Sequence, residues 1–370
     1  MEIEAKYAIL DPQTFNLLQG LQRLGPYPLV DSKERSFRDT YLDTPDGRLL
    51  RAGYACRWRV TDTIQRITVK GLAQGLTTAH QREEFEALFH DVDPTRPTDW
   101  GDTPPHDLVT RLVGDLSLSP LLALRQRRMT RLLLNPQGDP LAELALDRFI
   151  VEGDPSQRAF LELEIELIGS AGVSQLTPIQ HALNQIEGLT SQPTSKFERA
   201  VFLAIPRSPT ARALGLWGIE PNQPAAEAYR RAVRPRFLQM LITEPNAYRG
   251  EGDDVRTWLE AIQSLRVLLA SVPAQFEDTF EPTAVKTLEH AVREGERLRA
   301  TEIFKEMACN STEPPVRASD LVELHRVWEI AYRHHLEKLQ GFLTSPAYAR
   351  LKQSVWTWLN QPASGVPHLP

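Results

Sequence analysis

The chain opens on an alternation. Glu2, Glu4 and Lys6 are spaced by two, with Ile3, Ala5 and Tyr7 between them, so a strand would carry the charges on one face and the apolar groups on the other. Similar short segments, rich in Val, Ile, Thr, Tyr and Phe, recur to about residue 205. Turn signals such as Thr44-Pro45-Asp46-Gly47, Asn135-Pro136-Gln137-Gly138 and Glu152-Gly153-Asp154-Pro155 separate them, and this half is predicted to be mostly strand. One helix is predicted from Pro12, after an Asp11 cap, with Phe15, Leu17, Leu18 and Leu21 on it. Residues 206–214 have two prolines and no apolar period, the pattern of a linker. Beyond them the period becomes helical, as in Val255, Leu259, Ile262, Leu265 and Leu269, and again in Leu321, Leu324, Val327 and Ile330. A helical bundle is therefore predicted over 215–361, with a loose Pro-rich tail at 362–370. The predicted class is α+β, a strand-rich domain over 1–205 followed by an all-α one.

The charged faces of the strands change the picture. Arg57 and Arg59 flank Trp58, Arg66 to Lys70 flank Ile67 and Val69, and Arg82, Glu84 and Glu86 surround Phe85. Arg125 and Arg127 form another such pair, and Glu162, Glu164 and Glu166 alternate with Leu161, Leu163, Ile165 and Leu167. A half-solvated antiparallel sheet also alternates polar with apolar. Here, however, whole strands are nearly pure Glu or nearly pure Arg and Lys. Glutamates two apart repel unless a cation lies between them, and facing carboxylates suit Mg²⁺ or Mn²⁺. Rows of Arg and Lys want a polyanion, and guanidinium binds phosphate oxygens bidentately. If the strands close into a barrel with these faces inward, the lumen holds metal ligands beside phosphate-binding cations, and helices cover the apolar outside.

Composition sets limits. The 370 residues include 48 Asp+Glu against 42 Lys+Arg, a formal net charge of -6. This argues against broad affinity for nucleic acid or anionic lipid, although a local cation cluster escapes the average. With 41% hydrophobic residues the chain is neither disordered nor collagen-like. No apolar run approaches the roughly 18 residues a membrane helix needs, and Met1-Glu2-Ile3-Glu4-Ala5-Lys6 is no basic-then-apolar leader, so a soluble, cytoplasmic protein is expected. Cys56 and Cys309 stand far apart; both read as buried, reduced thiols rather than zinc ligands or a disulfide.

Taken in order, these segments resemble a known family. Glu2-x-Glu4-x-Lys6 resembles the ExExK signature of CYTH domains, the triphosphate tunnel metalloenzymes. Tyr41-Leu42-Asp43-Thr44-Pro45 resembles the family's YxDTP turn, Arg57-Trp58-Arg59 its RxR strand, Thr68-Val69-Lys70-Gly71 its TxKG strand, and Arg82-Glu83-Glu84-Phe85-Glu86 its RxExE strand. Arg125-Gln126-Arg127, Ala145-Leu146-Asp147, Glu162-Leu163-Glu164-Ile165-Glu166 and Ser195-Lys196-Phe197-Glu198-Arg199 complete a set spread over about 200 residues. The resemblance implies an eight-stranded antiparallel tunnel that acts on triphosphate groups with a divalent metal. It implies Glu2, Glu4, Glu162, Glu164 and Glu166 as metal ligands, Glu4 and Glu164 foremost. Arg57, Arg59, Lys70, Arg82, Arg125, Arg127, Lys196 and Arg199 become the phosphate clamp, and Glu4, Lys6 and Lys70 the catalytic group, with Lys6 either on phosphate or paired with Glu4. Asp147 is read as orienting an arginine.

The helical half resembles the CHAD domain that follows CYTH in bacterial inorganic triphosphatases. It departs from that pattern, because residues 254–266 contain no histidine and few basic positions, and Trp328 and Tyr332 stand where basic residues would be expected. That argues against polyphosphate binding by this half. The implied activity is hydrolysis of inorganic triphosphate with Mg²⁺ or Mn²⁺, with no nucleic-acid or membrane partner. Alternatives are an adenylate cyclase or thiamine triphosphatase using the same tunnel, or a non-catalytic polyphosphate-binding module. A homo-oligomer formed through the helical half is left open.

Overall fold

The computed structural model describes residues 2–61, 64–72, 80–169, 172–206, 208–215, 219, 223–272, 283–310 and 318–361. The side chains of Glu2, His80, Arg82, Cys309 and Leu321, and the tail 362–370, lie outside the described residues. The chain forms two compact units, one containing residues up to Pro235 together with the chain from Leu359, the other Arg236–Trp358.

The first unit is built on one antiparallel sheet. Its strands are β1 (Glu2–Ile9), β2 (Arg23–Leu24), β3 (Tyr27–Asp43), β4 (Tyr54–Val60), β5 (Gln65–Gly71), β6 (His80–Arg82), β7 (Glu84–Phe89), β8 (Ser119–Leu134), β9 (Pro140–Val151), β10 (Ala159–Leu167) and β11 (Leu189–Ser191). The path runs β11-β1-β10-β9-β8-β3-β4-β5-β7, with β2 beside β3. Strand β6 pairs with β1, and β7, a single residue later in the chain, pairs with β5. Register shifts interrupt the long β3 pairing with β8 at Val30/Lys33 and Tyr41/Leu42, and such irregularities bend a strand.

Apolar positions of one parity carry the packing. Tyr7, Ile9, Leu144, Leu146, Leu163 and Ile165 form one core with Leu18 of α1 (Pro12–Gly20) and Leu176, Ile179 and Leu183 of α4 (Val173–Leu183). Cys56, Ile67 and Val69 form a second with Leu108, Val109 and Val113 of α3 (Pro104–Val113). Helices thus cover the apolar face, and the charged face is left to line a cavity. Helix α1 starts where the Asp11 cap predicts, Asp11 Oδ1 accepting from the Thr14 amide at 2.7 Å. Gly188 passes close beside this cap at φ +80, where a Cβ would collide with Thr14 and Asp11, so only glycine fits. Burial pushes the Cys56 thiol's pKa up, so the group is a reduced core residue rather than a nucleophile.

Within the expected linker the chain makes a short helix, Pro209–Ala213, because Ser208 caps it, Oγ accepting from the Ala211 amide at 3.0 Å. Long helices follow at Ala225–Tyr248, Gly252–Ala270, Ala284–Asn310, Ala318–Leu343 and Pro346–Leu359. Val255, Leu259, Ile262, Leu265 and Leu269 are buried as their spacing requires, as are Trp258, Trp356 and Trp358. Leu324, Val327 and Ile330 do lie on a helix, but they are exposed; that helix buries Leu339, Phe342 and Leu343 further on. Trp328 donates to the Thr301 carbonyl at 2.8 Å and Tyr332 to the Gly250 carbonyl at 2.7 Å, so both stitch the helices together. No helix of the described residues is long and apolar enough to cross a membrane.

Candidate active site

Residues of one parity on β1, β3, β4, β5, β7, β8, β9 and β10 face a cavity of about 790 Å³. One wall is cationic: Lys33 and Arg35 from β3, Arg57 and Arg59 from β4, Arg66 and Lys70 from β5. Glu86 and Glu84 of β7 border it, Arg66 Nη1 standing 2.7 Å from Glu86 Oε1 and Lys70 Nζ 3.2 Å from Glu84 Oε2. Asp39 underlies this wall. It is 1% exposed and takes a two-pronged contact from Arg59, Nε to Oδ1 at 2.7 Å and Nη2 to Oδ2 at 2.8 Å. Burial would raise the Asp39 pKa, but Arg57 and Arg59 outweigh it and hold the carboxyl below its ordinary range. The Arg59 guanidinium also lies 3.7 Å from the Phe37 ring centroid, a cation over an aromatic face.

Arg57 is held more loosely. Its Nη1 stands 3.8 Å from Asp39, its Nη2 lies 3.4 Å from Thr68 Oγ1, and its buried Nε has no hydrogen-bond partner among the described residues. Burial disfavours its charge, yet Asp39 keeps it a firmly protonated cation. The Arg57 side chain is 19% exposed, so part of the guanidinium stays open to the cavity.

The opposite wall mixes signs. Glu4 pairs in register with Glu166 and Glu166 with Glu143 across β1, β10 and β9, and all three line the cavity. Lys6 Nζ stands 2.8 Å from Glu4 Oε1 and 3.7 Å from Glu164 Oε1. Deeper in the wall, Asp147 accepts from Arg128 Nε at 2.7 Å and Nη2 at 2.6 Å, and Arg128 also reaches Glu164. Lys196 stands at the first turn of α5 (Lys196–Ala204), behind a Ser195/Glu198 capping box. Its ammonium contacts Asp147 Oδ2 at 3.0 Å, Glu164 Oε1 at 2.7 Å and Glu162 Oε1. Burial would raise the Glu164 pKa, but Lys196, Arg128 and Lys6 drive it well below the usual range.

Of the residues singled out in the sequence, Glu4, Lys6, Arg57, Arg59, Lys70, Glu164, Glu166 and Lys196 meet in this cavity. Glu2 and Arg82 are register partners on β1 and β6, and their side chains lie outside the described residues. Glu162 and Arg199 are buried together behind the wall, bonded to each other, with Arg199 over the Phe149 ring. Arg125 and Arg127 do not belong to the site. They sit on the other face of β8, about two-thirds exposed; Arg125 pairs with Glu152 at 3.3 Å and Arg127 with Glu34. Parity explains the error: Gln126, Arg128 and Thr130 are the β8 residues that line the cavity. The run Arg125-Gln126-Arg127-Arg128 has cations on both parities, so composition alone could not choose the face. Asp39, Arg35 and Glu143 were missed as well, although each keeps the parity of its strand's inward face.

The carboxylates fit a hard divalent cation. Glu4, Glu164, Glu166 and Glu143 all present oxygen donors to the cavity, the ligand type that Mg²⁺ and Mn²⁺ prefer.

Residues 1–201 match the family model of the CYTH domain, and residues 231–370 that of the CHAD domain. The chain belongs to the CYTH family. Among solved structures, the CYTH part is similar to a putative adenylyl cyclase from Hippeastrum described as having a dominant triphosphatase activity, at 20% identity and TM-score 0.43, over 55% of this chain and 95% of that one. A putative adenylate cyclase from Bacillus halodurans matches at 19% identity and TM-score 0.37, over 54% and 96%. An RNA triphosphatase from S. pombe matches at 15% and TM-score 0.23, over 50% and 77%. At these scores the likenesses carry no argument of their own, and membership rests on the family models. No curated protein matches the sequence.

Proposed function

We propose that this CYTH domain hydrolyses inorganic triphosphate to diphosphate and phosphate in the presence of Mg²⁺ or Mn²⁺. The observation that carries the reading is the cationic wall of the cavity, in which Arg57, held only at 3.8 Å by Asp39 and 3.4 Å by Thr68, keeps part of its guanidinium open; phosphate oxygens are acceptors that such a group takes bidentately. The segment His80–Phe89, paired to β1 through β6 and to β5 through β7, supports closure of the sheet into an eight-stranded tunnel.

In this reading Arg57, Arg59, Lys70 and Lys196 grip the phosphate chain and take up the charge that develops on the leaving group. Asp39 keeps Arg59 in place through its two hydrogen bonds. Lys6 stands 2.8 Å from Glu4 Oε1 and orients that carboxylate as a ligand. Glu4 and Glu164, with Glu2 and Glu166 on the same strands, hold the metal. When bound, the ion withdraws charge from the phosphate oxygens and acidifies the attacking water. Hydrolysis then needs no covalent enzyme intermediate, and cytoplasmic triphosphate is the natural substrate pool.

One observation favours a second reading, an organic triphosphate such as ATP or thiamine triphosphate. Phe37, Tyr41 and Phe197 line part of the cavity, with Tyr41 and Phe197 ring centroids 4.7 Å apart. Beside them Gln126, which also lines the cavity, donates to Asp147 at 2.8 Å. An aromatic patch in the lining suits the ring of such a substrate. Phosphate release from tripolyphosphate, ATP and thiamine triphosphate, each with Mg²⁺ and with Mn²⁺, separates the readings. Turnover of tripolyphosphate above the others supports the first. Preference for a ring-bearing substrate supports the second, and no release from any of them removes both.

A further inference from the structure

Most of the cations that line the cavity already have a counter-charge from the chain itself. Lys6 has Glu4, Arg57 and Arg59 share Asp39, Arg66 has Glu86, Lys70 has Glu84, and Arg128 and Lys196 have Asp147, none of these contacts being longer than 3.8 Å. Lys33 and Arg35 of β3 are the exceptions. Both line the cavity, and among the described residues neither side chain has an ion pair or a hydrogen bond. Cations without a counter-charge at a solvent-open cavity raise the local concentration of anions there, and an anion can meet these two without displacing a carboxylate.

Their place in the sheet says which part of an anion they meet. Lys70 is the Cα partner of Ala55, Arg57 of Tyr41 and Arg59 of Asp39. Arg35 and Lys33 precede Asp39 on the same face of β3, so the order along the strands is Lys70, Arg57, Arg59, Arg35, Lys33. At a strand's rise of about 3.3 Å per residue, the row runs about 13 Å from Lys70 to Arg59 and about 20 Å more to Lys33. The first stretch is the one the triphosphate reading uses. The second continues it to the mouth of the cavity, where Lys33 and Arg35 are exposed.

We propose that Lys33 and Arg35 form a subsite at the cavity mouth for the fourth and later phosphoryl groups of a linear inorganic polyphosphate whose end occupies the triphosphate site. The inference rests on the triphosphate reading above and extends its substrate to longer chains. A nucleic acid with a 5′-triphosphate would bring phosphates to the same place, but also bases, which need aromatic faces to stack on. Thr130, the strand partner of Lys33, and Thr61 and Ile64, at the turn after β4, offer no ring. Phe37, the nearest ring on β3, already carries the Arg59 guanidinium on its face, 3.7 Å from the centroid. An inorganic chain needs only the charges.

The test is hydrolysis of tripolyphosphate by the full chain in excess Mg²⁺, followed at early times by loss of tripolyphosphate, with a size-fractionated longer linear polyphosphate as competitor. Salt is held at about 0.15 M, where charges about 13 Å away are largely screened. Lys33→Gln combined with Arg35→Gln is expected to raise the inhibition constant of the longer chain at least about tenfold, the worth of lost hydrogen bonds to charged groups. KM for tripolyphosphate is expected to rise by less than about threefold. Lys33→Arg combined with Arg35→Lys, which keeps both charges, is expected to stay near wild type on both measures. Circular dichroism checks that each variant folds, as exposed side chains should allow. A longer chain that does not compete, or a neutral variant in which both constants rise by the same factor, overturns the proposal. So does an oligoribonucleotide 5′-triphosphate that competes more strongly than the polyphosphate and loses as much in the neutral variant. Wild type that does not hydrolyse tripolyphosphate would instead overturn the reading on which the proposal stands.

Discussion

Asp39 and Arg59 face each other on β3 and β4 as Cα partners and are joined by two parallel hydrogen bonds of 2.7 and 2.8 Å. The carboxylate is almost wholly buried and the guanidinium largely so, so neither has water to fall back on. Asp39→Asn should therefore cost about 3 kcal/mol, most of it the penalty of leaving a buried arginine without its counter-charge. Urea unfolding measures it. Arg59→Lys should lose nearly as much, because an ammonium cannot reproduce the fork; a lysine variant as stable as wild type would show that charge alone matters here.

The same pair sets a pH dependence. An aspartate in the unfolded chain titrates near about 3.9, and Asp39 in the fold titrates below its ordinary value because Arg57 and Arg59 outweigh burial. A depressed acid stabilises the fold fully above the unfolded value, and that contribution is lost as pH falls through the folded one. Stability should hence be insensitive to Asp39 between about pH 5 and 7 and fall below that window. The decline should be shallower in Asp39→Asn than in wild type. Identical slopes in acid would mean that the pair does not hold the proton off Asp39.

Arg57 and Arg125 make a contrast that only the fold reveals. Both are arginines on charged strands, yet Arg57 lines the cavity and is held only at 3.8 Å by Asp39, while Arg125 is exposed and shared with Glu152. Arg57→Ala should raise KM for the triphosphate by between about ten and a hundredfold, the worth of one or two hydrogen bonds to a charged group. It should also cost some stability, but less than Asp39→Asn, since Asp39 loses one counter-charge and keeps both hydrogen bonds from Arg59. Arg125→Ala should alter neither quantity measurably, as exposed ion pairs contribute little. Equal kinetic effects from the two would mean that the cavity has been assigned to the wrong face of the sheet.

Much of this arrangement could be read in advance because strand parity is a local property. Ile3, Ala5 and Tyr7 alternate with Glu4 and Lys6, and the fold sends the first set to the helices α1 and α4 and the second to the cavity. Where both parities carry cations, as at Arg125 to Arg128, the inward face depends on pairing with β3 and β9, which are distant in sequence. Glu143 escaped notice because a lone glutamate in Leu141-Ala142-Glu143-Leu144 resembles any solvated strand position; only its register with Glu166 gives it neighbours of like charge. Leu324, Val327 and Ile330 taught the reverse. Their period predicts a helix correctly, but period alone does not say what, if anything, covers the apolar stripe.

Glu4 is where metal and fold can be told apart. It is buried, in register with Glu166, and 2.8 Å from Lys6. Glu4→Gln keeps the shape and a hydrogen-bond acceptor for Lys6 while removing the charge a divalent ion requires. Lys6 still has Glu164 at 3.7 Å, so the ammonium is not stranded, and the loss of one carboxylate beside Glu166 eases a repulsion in the metal-free protein. Stability without metal should shift by less than about 1 kcal/mol. Phosphate release should fall by at least about a hundredfold, and added Mg²⁺ or Mn²⁺, which should raise the melting temperature of wild type, should raise that of the variant far less. Calorimetry in the presence and absence of metal reads both effects at once. A variant that melts early with or without metal would make Glu4 a structural partner of Lys6; one that keeps the full metal-induced rise would move the ligand role to Glu164 and Glu166.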